Sequence, residues 1–306
     1  MKNELMVYLV NSENQYSEVF GDRIWSVPVG DGTLEDSYKE NILARIAQIK
    51  TMNILASETG VALDDEEIAK CTAAAREYFE SLTEAEKEYL NVDMDVIASL
   101  YREFATANKL YENVTKDINP EISDDEARTI TVKTILVKTY SVDPNGIRHE
   151  YTDEEKKAAL AKIAQIRQKI SDGVAFEVLA ADYNEDSKDE YSFGRGVMPK
   201  EFEEAAFNLG AGEISDIVET EYGYHLIYCV TTFNPEETDA NKVKIVERRK
   251  QEAFDEVYNN FVTTLTSNLN KPLYDSIHYG SGGVVTTTGF FEIYDKYFTV
   301  VSTQSN

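Results

Sequence analysis

Two cysteines, three histidines and no long apolar run mark this 306-residue sequence by what it lacks. Two cysteines, Cys71 and Cys229, exclude a disulfide scaffold and a cysteine-rich zinc site. A single long-range disulfide has no support, and Cys71 reads as a small buried hydrophobe. His149, His225 and His278 have no HExxH-type partner, so no metal is expected. GxSxG, a Walker loop and GxGxxG after a strand are all missing, and no cofactor is expected. No run approaches the ~18 apolar residues that cross a bilayer. Near the start, Leu5 to Val10 is too short for the apolar core of a secretion signal, and no small-residue cleavage site follows it. Positive charge is scarce too. Thirty Lys and Arg stand against 56 Asp and Glu, a formal net charge of −26. Such a surface repels phosphates, which argues against nucleic acid as a partner and against docking on anionic lipid by charge alone.

What is present suffices for packed cores. The hydrophobic share is 42%, with 19 Tyr and 13 Phe, which argues against a disordered chain. The length suggests two domains. Residues 1–33 read as irregular. From 34 to 120 the pattern is nearly all helical: Tyr38, Ile42, Ile46, Ile49 and Leu55 recur at helical spacing, with Gly60 as a stop. Asp64 with Glu67 and Thr83 with Glu86 have capping-box spacing. The acidic pairs Asp64-Asp65, Asp124-Asp125 and Glu154-Glu155 sit at expected helix starts, where the dipole favours negative charge; this reading outweighs a metal or acid–base role. Near 129 the pattern changes. Thr129 to Val137 is β-branched and reads as a strand. Asp143-Pro144-Asn145-Gly146 is a turn signal, and Thr152 with Glu155 caps a helix that runs to about Ser171. A short helix from Phe176, another near Lys200 to Leu209, and strands around 217–220 and 224–232 follow. The order is not a regular βαβ alternation, so the fold class is α+β. Residues 241–269 read as helix and 271–306 as a short strand-like tail. On alternation alone, His225 shares a strand face with Ile227 and Cys229, and it reads as a hydrogen-bonded core histidine.

As a block, residues 176–230 change that reading. Phe176-Glu-Val-Leu-Ala-Ala-Asp-Tyr-Asn-Glu-Asp186 is followed by Phe193-Gly-Arg-Gly-Val-Met198-Pro-Lys-Glu-Phe202-Glu-Glu-Ala-Ala-Phe207. Gly212-Glu-Ile-Ser215, then Thr220-Glu-Tyr-Gly223-Tyr-His225, complete the series. In this order the pieces resemble a parvulin-type peptidyl-prolyl cis-trans isomerase, and Thr134 to Lys138 looks like that family's first strand. The resemblance covers about 100 residues, 129 to 232. More loosely, residues 34–120, with Ala56 to Ile68, and the helix 241–269 with Leu273 to Ile277, are similar to the chaperone region of PrsA- and SurA-like foldases.

The resemblance implies a discontinuous helical chaperone domain (SurA N-terminal-like), 1–128 plus 236–306. A parvulin-like (FKBP-like) antiparallel-sheet domain, 129–235, would be inserted into it. It implies that Met198, Phe202 and Phe193 form a proline pocket, and that His225 sits on its floor, bonded to Thr220. Asp186 would stand beside the substrate carbonyl. Two departures matter. Thr134 stands where the family has a histidine, which implies weaker isomerase activity. Lys188 to Ser192 replaces a glycine-rich stretch, and Glu190 falls near the usual pocket leucine, which implies a more open or more polar pocket there. Residues 140–150 hold only Arg148 and His149 as basic side chains, so no preference for phosphorylated substrates is expected. The expected function is a foldase for secreted proteins, acting on unfolded or extended proline-containing polypeptides. It would be extracytoplasmic, anchored as a lipoprotein through a segment absent from this sequence. The alternatives are a non-catalytic holdase with a degenerate parvulin domain, and a scaffold that uses the helical domain to form a homodimer.

Overall fold

The computed structural model describes residues 2–277 and 284–298. His278 lies outside the described residues. The chain divides into two units, one of residues 1–117 with 251–306 and one of residues 118–250.

The first unit is helical. It contains α1 (Lys2–Phe20), α2 (Leu34–Thr59), α3 (Asp65–Ser81), α4 (Glu84–Leu90) and α5 (Met94–Thr115), with a small hairpin of β1 (Pro28–Val29) and β2 (Gly32–Thr33). Capping boxes open α2 at Thr33, α3 at Asp64 and α4 at Thr83. Each satisfies backbone donors that the first turn leaves free. Gly60 stops α2 in the left-handed conformation, φ 73°.

Both ends of this unit differ from the sequence reading. Residues 1–33 are not irregular: α1 occupies most of them. Leu5 through Val10 are all buried, so the helix is covered on every side there and shows no 3.6-residue stripe. Nor are the described residues of the tail strand-like. They form α11 (Lys271–Asp275) and α12 (Phe290–Phe298). Aromatic residues favour strands on average, but Phe290, Tyr294 and Phe298 are spaced four apart and share a helix face. Phe290 is fully buried and stacks on Tyr101, ring centroids 4.4 Å apart.

A polar latch holds the segment leading into α12. The buried Glu86 carboxylate accepts from the backbone N–H of Thr286 at 2.9 Å, of Thr287 at 3.2 Å and of Thr83 at 2.8 Å. Asn14 donates to the carbonyls of Val285 and Thr287, and Asn11 accepts from the Phe290 N–H at 3.0 Å. Burial pushes the Glu86 carboxyl up, but the N–H groups of Thr286, Thr83 and Thr287 outweigh it and hold the group below the usual carboxylate range. A carboxyl depressed in the folded state contributes stability above its unfolded pKa and loses it as pH falls through the folded one. Glu86→Gln is therefore expected to cost about 1–3 kcal/mol at pH 7 and less at pH 3. Urea titrations followed by circular dichroism at both pH values check this. An equal cost at both would show that the charge does not hold the latch.

The second unit is built on a four-stranded antiparallel sheet. Its elements are α6 (Asp124–Ala127), β3 (Ile130–Lys138), β4 (Tyr140–Val142), β5 (Arg148–Glu150), α7 (Asp153–Ser171), α8 (Phe176–Tyr183), β6 (Glu190–Phe193), α9 (Lys200–Phe207), β7 (Val218–Thr220) and β8 (Gly223–Thr231). The strand order is β6-β3-β8-β7, and β4 pairs with β5 apart from it. Alternation sorts the two faces. Ile135, Val137, Tyr224 and Leu226 pack with Ile163, Ile166, Phe176 and Leu179 of α7 and α8. Ile130, Val132, Phe193 and Ile227 pack with Phe202 and Phe207 of α9.

Helix α10 (Pro235–Val262) follows β8, and the division between the units falls within it, after Lys250. Its early turns close the second unit. Ile245 and Val246 pack with Ile122 and Ala127, Asn241 donates to the Ala127 carbonyl at 3.0 Å, and the Thr238 hydroxyl accepts from the Thr129 N–H at 3.1 Å. The expected limits of 129 and 235 thus fall inside this unit, because flanking residues tie to each other across its base.

Candidate active site

On the α9 side of the sheet lies a cleft of about 270 Å³. Its walls are Thr134, Leu136, Tyr140, Asp186, Tyr191, Met198, Pro199, Phe202, Tyr222 and His225. The sheet register explains the floor. Leu136 of β3 is opposite His225 of β8, and Thr134 lies two residues along β3, so the three side chains share one face. Phe202 comes from α9, and Met198 and Pro199 lead into it. The phenyl ring of Phe202 meets the His225 imidazole edge-on, centroids 5.2 Å apart.

His225 is 6% exposed and Thr134 is 1% exposed. Burial pushes the imidazole pKa down to about 4, and the nearby Asp186 charge offsets this only in part. The ring is therefore neutral at physiological pH. Its Nε2 lies 2.9 Å from the Thr220 hydroxyl, which already accepts from the Tyr222 N–H at 3.1 Å. Where the hydroxyl donates to Nε2, the ring hydrogen sits on Nδ1; where Nε2–H donates to the hydroxyl, Nδ1 is the acceptor. His225 Nδ1 and Thr134 Oγ1 are buried and have no protein hydrogen-bond partner. Buried polar atoms are normally paired, so these two are exceptions beside the cleft floor.

The structure brings together five of the seven residues read from the sequence: Thr134, Asp186, Met198, Phe202 and His225 all line the cleft. Thr220 lies behind His225 and reaches it by the hydrogen bond above. Phe193 does not line the cleft. It is 3% exposed and sits behind Phe202, centroids 6.0 Å apart, so it supports the wall from the core.

Glu190, expected near this wall, does not line the cleft. Glu190 is exposed, and its neighbour Tyr191 takes the wall position. Tyr191 pairs with Val132 and packs with the Phe193–Phe202 cluster. Its hydroxyl donates to Asp186 Oδ2 at 2.8 Å. The sequence reading missed Tyr191, Leu136, Tyr140 and Tyr222. Period-two alternation from Phe193 to Tyr191 and from Thr134 to Leu136 was the available signal for two of them. At the cleft mouth, Arg148 lies over the Tyr140 ring at 4.0 Å and donates to Glu150 at 2.6 Å. That cation is already paired.

Comparisons with known proteins find a family match that falls within the second unit. Residues 135–231 match the family described as Rotamase, the PPIC-type PPIase domain. The chain is 41% identical over 91 residues to the peptidyl-prolyl cis-trans isomerase Pin1 of Digitalis lanata, covering 28% of this chain and 75% of that protein. It is 28% identical over 225 residues to a foldase protein PrsA of Caldanaerobacter subterraneus, covering 71% of this chain and 65% of that one. A PrsA 3 foldase of Bacillus cereus is 32% identical over 152 residues, 48% of this chain and 46% of that protein. The chain thus spans about half to two thirds of the length of the curated foldases it matches. A solved PrsA structure from Bacillus cereus is 21% identical at a TM-score of 0.42, covering 83% of this chain and 97% of that one. The chain belongs to the PPIC-type, or parvulin, peptidyl-prolyl isomerase family.

Proposed function

We propose that the protein is an extracytoplasmic foldase that binds Xaa–Pro segments of unfolded polypeptides and speeds their cis–trans isomerisation in this cleft. One observation carries the proposal: a neutral, buried His225 whose Nδ1, with Thr134 Oγ1, lies unpaired at the foot of a wall of Met198 and Phe202.

Rotation about an Xaa–Pro bond crosses a barrier of about 18–20 kcal/mol and forms no covalent product. A catalyst needs only to bind the twisted amide better than the planar one. The planar amide depends on charge-separated resonance, which water stabilises and an apolar cleft does not. Met198 and Phe202 would hold the proline ring out of water. Asp186, beside the client carbonyl, would disfavour the negative charge that resonance places on that oxygen. His225 and Thr134 would form the polar floor beneath the client's peptide groups. Thr134 provides a smaller donor than the family's histidine, which favours modest turnover and a larger share of holding. The helical unit suits holding: Val19 and Phe20 of α1 are 72% and 63% exposed, with Val27 and Val29 also exposed. Lipid anchoring outside the cytoplasm would keep it near emerging clients. Among the described residues no helix is long and apolar enough to cross a membrane.

Binding tests the reading directly. With methyl-labelled methionine, an unphosphorylated Ala-Xaa-Pro-Phe peptide series is expected to shift the Met198 signal saturably, and an alanine-for-proline peptide is not. Equal shifts with both would count against a proline cleft. Because His225 is neutral above about pH 5, turnover is expected to be flat between about pH 5.5 and 8. A rate that rises or falls through pH 6.5 would contradict a buried neutral imidazole.

A further inference from the structure

We propose that Tyr191 is a positioning residue of the cleft: its hydroxyl fixes the Asp186 carboxylate for turnover, while its ring forms part of the wall that holds the client. The inference rests on the isomerase reading above and goes further, since it separates holding from turnover within one side chain.

Asp186 lies on the irregular segment after α8, where a carboxylate would ordinarily sample several rotamers. Here both oxygens are taken. Oδ1 accepts from the Ser187 N–H at 2.7 Å, and Oδ2 accepts from the Tyr191 hydroxyl at 2.8 Å. The segment itself is braced. Asn184 Oδ1 accepts from the Leu136 N–H at 2.9 Å and from the Asp186 N–H at 3.2 Å, and its amide donates to the Lys188 carbonyl at 3.0 Å. Tyr191 is held just as firmly. It sits in β6 against Val132 of β3, on the face that carries Phe193. A rigid strand therefore aims a hydroxyl at a carboxylate on a loop, and both side chains line the same cleft. The Tyr191 phenol loses its proton less readily than usual, through burial and through the hydrogen bond and charge of Asp186, so it remains a donor across physiological pH. A donor to an ionised acceptor makes a short and strong hydrogen bond, suited to fixing the orientation of the acceptor.

The two parts of the side chain then have separable effects. Loss of the hydroxyl frees Asp186 and lowers the maximal rate. Loss of the ring opens the wall and weakens binding.

A four-member cycle in the full chain tests this: wild type, Tyr191→Phe, Asp186→Ala and the double variant, with Tyr191→Leu as a fifth protein. Peptide affinity is read by titration, and the rate at saturating protein by magnetisation exchange between cis and trans proline signals. Circular dichroism confirms folding. Tyr191→Phe is expected to lower the saturated rate about tenfold and to leave affinity within about twofold. In the Asp186→Ala background the same change is expected to have no further effect. Tyr191→Leu is expected to weaken affinity as well. A Tyr191→Phe rate equal to wild type overturns the inference. So does a loss that multiplies in full with that of Asp186→Ala, which would show that Tyr191 acts independently. If Asp186→Ala turns over normally while Met198→Ala/Phe202→Ala does not, the inference falls and the isomerase reading stands. If wild type binds peptide but never accelerates it, both fall together.

Discussion

Gly223→Ala is expected to destroy the second unit's sheet and abolish turnover with it. Gly223 opens β8 with φ +139°, a conformation that L side chains rarely adopt. A Cβ there would lie 2.2 Å from the Val137 carbonyl oxygen and 2.9 Å from the Lys138 Cα. Neither neighbour is a flexible side chain, so backbone must move. Gly223 pairs with Lys138 on one side and Thr220 on the other, and the same register sets His225 opposite Leu136 and Val218. Relieving the clash therefore shifts the strand that carries the imidazole and its bond to Thr220. We expect a cost of about 3–5 kcal/mol from strain and lost pairing. Gly146→Ala is the control. It also has positive φ, +83°, but its Cβ meets nothing within 4 Å, and about 1–2 kcal/mol is expected. Thermal unfolding with amide spectra of the second unit separates them. A Gly223→Ala protein with wild-type dispersion in β3 and β8 would show that the tight approach is not required.

The second large effect is expected in the other unit. Phe290→Ala removes a fully buried ring that stacks on Tyr101 and meets Tyr78 at 5.3 Å and Tyr8 at 5.4 Å. A Phe-to-Ala change in a core costs about 3–5 kcal/mol through lost transfer energy and the cavity left behind. The backbone raises the stake. The Phe290 N–H donates to Asn11 Oδ1 and its carbonyl accepts from Tyr101 at 2.7 Å, so a loosened α12 would expose buried polar groups of α1 and α5. Glu292→Ala, on the exposed side of α12, is expected to stay within about 0.5 kcal/mol. Urea titration of each variant decides it. A cost below about 1 kcal/mol for Phe290→Ala would mean that α12 adds little to the core.

The two units were not equally legible in the sequence. The sheet and its cleft could be read because their signals are local and combined. A β-branched run marked β3, and shorter stretches marked β7 and β8, whereas β4, β5 and β6 went unplaced; a motif of fixed order gave Met198, Phe202, Asp186 and His225. Their convergence on one cleft depends on the register of β3 with β8, which no linear pattern states. Tyr191 is hidden because the motif aligns Glu190, one residue away, with the pocket position, and a shift of one residue on a strand moves a side chain to the opposite face. α1 escaped because Leu5–Val10 is buried on all sides and periodicity vanishes where burial is complete. α12 escaped because its aromatic residues mimic a strand until their spacing of four is set against α5 and α1. Both misread helices are held by contacts more than 180 residues apart, such as Asn11 with Phe290 and Tyr101 with Phe290, which are invisible to a local reading.

The central claim is that an apolar cleft with a neutral histidine at its floor turns Xaa–Pro bonds. The most direct measurement is cis–trans exchange of a proline peptide by magnetisation transfer, with protein at about one hundredth of the peptide. Uncatalysed exchange takes tens to hundreds of seconds and gives no cross-peaks on a one-second mixing time. With wild-type protein, cross-peaks are expected within that time, and with Met198→Ala/Phe202→Ala they are expected to vanish while the fold persists. Absence of cross-peaks with folded, peptide-binding wild-type protein would contradict the claim and leave a protein that holds proline segments without turning them.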